Sequence, residues 1–173
     1  IFISGKGTNA LNIINQFRDS DEISVTNVYS NNKNSPFFNS QDDSKVRTLC
    51  VSNDQLSSSV FEELKIIDPD LIVLAGFLKK IPNTYIDYFD NKIINIHPSI
   101  LPSYGGKGMY GSKIHNKVIE NNESETGITI HYVSNQYDSG EIIFQKKIII
   151  EDNDTAKSIE EKIHILEYEY YPK

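Results

Sequence analysis

The chain has 173 residues, 38% hydrophobic and 24% charged, with a net charge of -7 and a pI of about 5.1. That length and balance suit a soluble globular chain with a real core, and no basic face of the kind a nucleic-acid binder carries is visible. A single cysteine excludes an internal disulfide or a Cys-x-x-Cys metal site, no run approaches the ~18 apolar residues of a membrane span, and no secretory leader is visible.

Ile1-Phe2-Ile3 is apolar and reads as a buried strand whose true start lies upstream; the end at Tyr171-Pro172-Lys173 also reads as trimmed. Ser4-Gly5-Lys6-Gly7-Thr8-Asn9 follows, and then Leu11, Ile13, Ile14 and Phe17 recur at helical spacing. A strand, a Gly-x-Gly turn and a helix N-terminus together make an anion site. Glycine permits close backbone approach, and the first N–H groups of a helix have no partner inside it. Thr8 or Asn9 is placed to cap the helix and to contact a phosphate. The third glycine of a dinucleotide fingerprint is missing, and an ordinary strand-to-helix turn fits the same residues.

Residues 23–29 alternate and predict a second strand, and 31–36 form a loop. The polar stretch to Ser44 has only Phe37 and Phe38 as apolar residues and predicts no element. Residues 46–51 predict a third strand, with Cys50 as a small core residue. A helix starts at Asp54, with Val60, Leu64 and Ile67 on one face, and ends at Asp68-Pro69-Asp70. Residues 71–75 are wholly apolar, as a central parallel strand requires. A short helix over 82–89 and a fifth strand over 92–95 follow. Residues 109–119 predict a helix with Ile114 and Val118 paired. The strand pattern of 128–133, the turn Tyr137-Asp138-Ser139-Gly140 and the strand over 142–150 predict an antiparallel extension. Asp154-Thr155 caps a last helix carrying Ile159, Ile163, Leu166 and Tyr170. The rhythm predicts an α/β fold, a doubly wound and mostly parallel sheet with the antiparallel extension in its C-terminal half, in one domain over residues 1–173.

The stretch Asn95-Ile96-His97-Pro98 holds the most chemistry. Strand side chains repeat every two residues, so Asn95 and His97 share a side, and Pro98 stops the strand. An amide and an imidazole then stand together at a strand's C-terminal end, where open α/β sheets bind ligands. The glycine-rich Gly105-Gly106-Lys107-Gly108 beyond it can act as a flexible cover. An isolated N-x-H-P is equally compatible with a histidine that merely caps a strand. Asp138 is an ordinary turn aspartate unless its turn folds over that strand end. His131 is either a polar strand residue or a site residue. His97, His115, His131 and His164 lack the spacing and acidic partners of a zinc helix, so no metal is expected.

Taken together and in order, Ser4-Gly5-Lys6-Gly7-Thr8-Asn9, Leu74-Ala75-Gly76-Phe77, Asn95 to Pro102, Thr126-Gly127-Ile128-Thr129-Ile130-His131 and Tyr137-Asp138-Ser139-Gly140 resemble the glycinamide ribonucleotide formyltransferase family of purine biosynthesis. The resemblance implies a Rossmann-like formyltransferase fold and transfer of a formyl group from 10-formyltetrahydrofolate to the amine of glycinamide ribonucleotide. It makes Asn95, His97 and Asp138 the catalytic trio. Gly7, Thr8 and Asn9 match the substrate-phosphate loop. His164, Ile165, Leu166 and Glu167 match a substrate-binding segment in which Glu167 meets ribose hydroxyls. Leu78, Lys79, Lys80 and Ile81, together with Asn95 and with Ser134, Asn135, Gln136 and Tyr137, match the folate site. Lys79 stands where the family often has arginine, replacing a forked donor by a point charge. An arginine of the family near Asn53 is also replaced, and Gly105 to Gly108 differ from the proline- and histidine-containing loop of other members.

The residue types suit the reaction. Amine attack on a formyl carbon creates an oxyanion that the Asn95 amide and a protonated His97 stabilise, and a carboxylate beside an imidazole favours the protonated form. Asp138 then holds water for a proton relay. The expected partners are the two small molecules, glycinamide ribonucleotide and folate, with no nucleic acid, membrane or metal, in a cytoplasmic monomer or weak homodimer. Two related readings share the chemistry: a methionyl-tRNA formyltransferase, which needs an RNA-binding domain and lacks the phosphate loop, and a formyltetrahydrofolate hydrolase, which usually carries a regulatory domain.

Overall fold

The computed structural model describes residues 1–40 and 45–173, so the end of the polar stretch to Ser44 lies outside the described residues. The chain forms two compact units, Ile1–Ile94 and Asn95–Lys173.

The first unit holds β1 (Phe2–Ile3), α1 (Thr8–Phe17), β2 (Asn27–Ser30), α2 (Phe37–Ser40), β3 (Arg47–Cys50), α3 (Asn53–Ser57), α4 (Ser59–Ile67), β4 (Ile72–Leu74), α5 (Asn83–Tyr88) and the first residues of β5 (Ile93–His97). Its strands run in the order β3-β2-β1-β4, and the pairs β1–β2, β1–β4 and β2–β3 are all parallel. The order turns back at β1, which lies between β2 and β4. That makes the C-terminal ends of β1 and β4 a topological switch point, where parallel sheets leave a crevice for ligands. Aromatic residues fill the core: the Phe2 ring stacks on Tyr29 at 5.0 Å and meets Phe77 and Tyr85. Helix α1 buries Ala10, Ile13 and Ile14; of the predicted face, Ile13 and Ile14 are buried while Leu11 and Phe17 are half-buried.

Four local readings change in this unit. Strand β2 starts only at Asn27, opposite Arg47 of β3, because residues 23–26 precede the point where a partner strand is present. Cys50 is exposed, not a core residue: it is the last residue of β3, an outermost strand of the described sheet whose four residues are all exposed or half-buried. The helix expected from Asp54 is two helices, broken at Ser58 (φ -130°, ψ -92°), with a capping box between Ser52 and Gln55 starting the first. Phe37, wholly buried, anchors the short helix α2 that periodicity did not reveal.

The second unit holds the rest of β5, α6 (Ser112–Glu120), β6 (Glu125–Tyr132), β7 (Ile142–Ile149) and α7 (Ala156–Tyr170). Its strand order is β5-β6-β7, and β6–β7 is the expected antiparallel pair, running from Glu125 opposite Ile149 to His131 opposite Ile142. Gly127 makes the close pairing possible: a Cβ there would sit 2.0 Å from the Lys146 carbonyl oxygen. The register shifts between Ile130 and His131, and such a bulge re-aims the side chains beside it. Helix α6 begins later than expected because Gly111, at φ +52°, precedes it. Ile114, Val118, Ile128, Ile159 and Ile163 form the core, and Thr155 with Ser158 caps α7.

Candidate active site

β5 ends on His97, and both Asn95 and His97 lie in its last three residues. The His97 side chain is 5% exposed and Asp138's is 11% exposed; Nδ1 of His97 lies 3.5 Å from Oδ1 of Asp138. The other ring nitrogen, Nε2, lies 2.8 Å from the backbone carbonyl of Tyr104. A carbonyl only accepts, so Nε2 carries a proton. Nδ1 is the nitrogen that faces the carboxylate. Asp138 takes a left-handed backbone conformation (φ +52°), and its Oδ2 accepts a 2.8 Å hydrogen bond from the Gly106 N–H. Residues 104 and 106 thus hold both members of the pair through backbone groups.

His131 lies in contact with this group. Its Nδ1 lies 2.8 Å from the Tyr132 carbonyl, and its Nε2 lies 3.1 Å from Nδ2 of Asn95 and 3.8 Å from Oδ1 of Asp138. Burial is the largest influence on this ring and lowers its pKa, outweighing the raising effects of the Tyr132 carbonyl and Asp138. A neutral ring that donates from Nδ1 must accept at Nε2. The Asn95 amide therefore donates one hydrogen to His131 and keeps a second hydrogen for a ligand. The loop after His97 is braced from β6: the Thr129 hydroxyl accepts from the Leu101 N–H (3.0 Å) and donates to the Ser99 carbonyl (2.7 Å).

The 134–137 loop is a compact turn. The Ser134 hydroxyl donates to the Gln136 carbonyl at 3.1 Å and meets the Ser139 hydroxyl at 3.2 Å, while the Tyr137 ring is exposed. Gly140 ends it where no side chain fits, since a Cβ would lie 1.7 Å from the Tyr132 carbonyl oxygen. On α7, the Glu167 carboxylate is buried and meets Nδ1 of His164 at 2.9 Å. Burial and Glu167 push the Tyr171 phenol well above its ordinary pKa. Leu166 belongs to the core, and Ile165 faces solvent.

In the first unit, Ser4 to Asn9 leave β1 and Gly76 to Ile81 leave β4 at the switch point. The two loops are joined: the Ser4 N–H bonds the Gly76 carbonyl (3.1 Å), and the Leu78 N–H bonds the Ser4 hydroxyl (2.9 Å). Gly7, not Thr8 or Asn9, occupies the N-cap position of α1, at φ +72° and with no side-chain cap. The cap expected from Thr8 or Asn9 is absent because both already lie inside the helix. Leu78, Lys79 and Lys80 are exposed, and Ile81 turns its side chain into the core. Among the described residues, no group of three His, Cys, Asp or Glu side chains could hold a metal ion, and no helix is long and apolar enough to cross a membrane.

The sequence profile described as formyl transferase matches residues 1–173, and the chain belongs to that family. It is similar to the chloroplastic phosphoribosylglycinamide formyltransferases of two plants. Identity to the Arabidopsis thaliana protein is 38%, over 66% of this chain and 39% of that protein. Identity to the Vigna unguiculata protein is 33%, over 99% of this chain and 57% of that protein. The chain spans about half the length of these two relatives. The crystal structure of phosphoribosylglycinamide formyltransferase from Bacillus halodurans matches with a TM-score of 0.87 at 29% identity, covering 99% of this chain and 89% of that one. The α/β fold with a mostly parallel sheet and antiparallel C-terminal strands is the one the sequence predicted.

Proposed function

We propose that this chain transfers the formyl group of 10-formyltetrahydrofolate to the amine of glycinamide ribonucleotide, with Asn95, His97 and Asp138 as catalytic residues. The observation that carries the reading is the second unit's cluster, in which an amide and an imidazole end one strand and a carboxylate faces the imidazole at 3.5 Å. The names of the relatives supply the acceptor, and the family resemblance implies the folate donor.

The substrate amine forms a new C–N bond to the formyl carbon, and the carbonyl electron pair moves to oxygen. The second hydrogen of the Asn95 amide and a proton on Nδ1 of His97 are the donors available to stabilise that negative charge. At 3.5 Å, Nδ1 is close enough to Asp138 to feel its charge and too far to be used up by a hydrogen bond. Collapse of the intermediate breaks the bond between the formyl carbon and N10 of the folate. The amine loses a proton and N10 gains one, and water held by Asp138 relays it. The products are the formylated ribonucleotide and tetrahydrofolate. Gly7, Thr8 and Asn9 bind the substrate phosphate, and Glu167 with His164 meets its ribose. Leu78 to Ile81 and Ser134 to Tyr137 contact the pterin. Exposed Lys79 and Lys80 supply positive charge for the acidic tail of the folate.

Tetrahydrofolate release in the presence and absence of glycinamide ribonucleotide tests the reading. Release that depends on the ribonucleotide supports it; release at the same rate without an acceptor points to a hydrolase.

A further inference from the structure

The carbonyl that fixes the His97 ring belongs to a residue in an uncommon conformation. Tyr104 has φ +59°, a region that tyrosine enters only when its surroundings hold it there. The restraint lies at the other end of the same side chain. The phenol donates to Oε1 of Glu123 at 2.6 Å and accepts from Nδ2 of Asn121 at 2.7 Å. Both partners follow the end of α6 and are bonded back to its last turns: the Asn121 N–H bonds the Lys117 carbonyl (2.9 Å), and the Glu123 N–H bonds the Val118 carbonyl (3.1 Å). Ile114 and Val118 sink that helix into the core of the unit. The tether therefore runs from a packed helix through a phenol to a backbone carbonyl and then to Nε2 of His97.

We propose that Tyr104 is a positioning residue, whose phenol, clamped by Asn121 and Glu123, holds the backbone carbonyl that keeps the proton on Nε2 of His97 and turns Nδ1 toward Asp138. The proposal rests on the catalytic role given to His97 above. Tyr104 does not touch the reacting atoms in this scheme; it acts through the ring. Two residues further on, the Gly106 N–H holds Oδ2 of Asp138, so slack in this backbone reaches both members of the pair. Burial first, and then the hydrogen bond to Glu123, raise the pKa of the Tyr104 phenol. It remains an O–H donor across the neutral range.

The test is Tyr104→Phe, which keeps the ring and removes both tether bonds, beside the double variant Asn121→Ala/Glu123→Gln, which weakens the clamp from the helix side. Two readouts are needed: kcat and KM for both substrates, and the ¹⁵N shifts of the His97 ring without substrate. Each variant is expected to lower kcat by about 10-fold while KM stays within about twofold, the pattern of a misaligned reacting group. The ring signal should change from one in which Nε2 always carries a proton to a mixture of tautomers, and combining all three substitutions should add nothing. Unchanged kcat, or a fall in kcat with the ring signal unaltered, overturns the proposal. If Tyr104→Phe does not fold, the helix-side pair alone decides. The ring shifts need no turnover, so a chain that formylates nothing would overturn the functional reading and still leave the tether decided.

Discussion

Thr129 is wholly buried in β6, and its hydroxyl links that strand to the loop that leaves His97. Replacing it with valine keeps the shape and removes the hydroxyl. The Leu101 N–H and the Ser99 carbonyl each lose this partner, whereas the Gln145 amide, which also bonds the hydroxyl at 2.9 Å, keeps its 3.0 Å bond to the Leu101 carbonyl. Two buried groups left unsatisfied cost about 1–3 kcal/mol each, and the added methyl returns about 0.8 kcal/mol. The net expected loss is about 3 kcal/mol, large against the ~5–15 kcal/mol that holds a typical domain. Thr129→Ser keeps the hydroxyl and loses one methyl, for about 1 kcal/mol. Urea unfolding of the three proteins measures the difference as a shift in midpoint at constant slope. The valine variant should also be the slower enzyme, because the loop it frees begins at His97. If serine destabilises as much as valine, or valine costs under about 1 kcal/mol, the hydroxyl is not the brace described.

Asp138→Asn should slow turnover by about 10²-fold or more with little change in substrate affinity, and His97→Ala combined with it should be no slower than the worse single variant, as for groups that act as a unit; near-normal turnover in steady-state assays would remove Asp138 from the mechanism. Gly7→Val should weaken ribonucleotide binding more than folate binding, but a Cβ at Gly7 also meets Phe37 at 2.7 Å in a left-handed backbone, so thermal stability will fall as well. Gly5, with nothing within 4 Å of a Cβ, is the cleaner probe, and calorimetry on Gly5→Ala should show weaker ribonucleotide binding at unchanged stability. Burial lowers the pKa of His115 and of His131. Below the ordinary histidine value of ~6.5 the unfolded chain then binds protons more readily than the folded one, so stability should fall as pH drops below that value. His115→Gln should flatten part of that fall in unfolding measured from pH 7 to pH 5; an unchanged slope would show that His115 does not contribute.

The elements legible in the sequence were those whose burial is periodic. The apolar run around Ile72 to Leu74 had to be an inner parallel strand, and the Ile128 to Ile130 alternation followed by a turn and a second strand had to be an antiparallel pair. Cys50 misled because β3 is exposed or half-buried along its whole length, which its apolar neighbours in sequence do not mark. α2 stayed hidden because one buried ring, Phe37, organises it without any repeat. In the candidate site, the placing of Asn95 and His97 on one strand end was legible from a strand ended by proline, whereas Asp138 was singled out by the family resemblance. The groups that hold His97 and Asp138 are backbone: the Tyr104 carbonyl and the Gly106 N–H have no side-chain signature. The contacts of His131 depend on which ring nitrogen meets the Tyr132 carbonyl, which only the fold determines.

The acceptor of the formyl group is best followed directly. With 10-formyltetrahydrofolate carrying ¹³C in the formyl carbon, and with glycinamide ribonucleotide and initiator methionyl-tRNA offered together, NMR reports where the label goes. Label in the formamide of the ribonucleotide, lost when Asp138 is changed to asparagine, is the expected result; label in free formate or on the tRNA would contradict the reading.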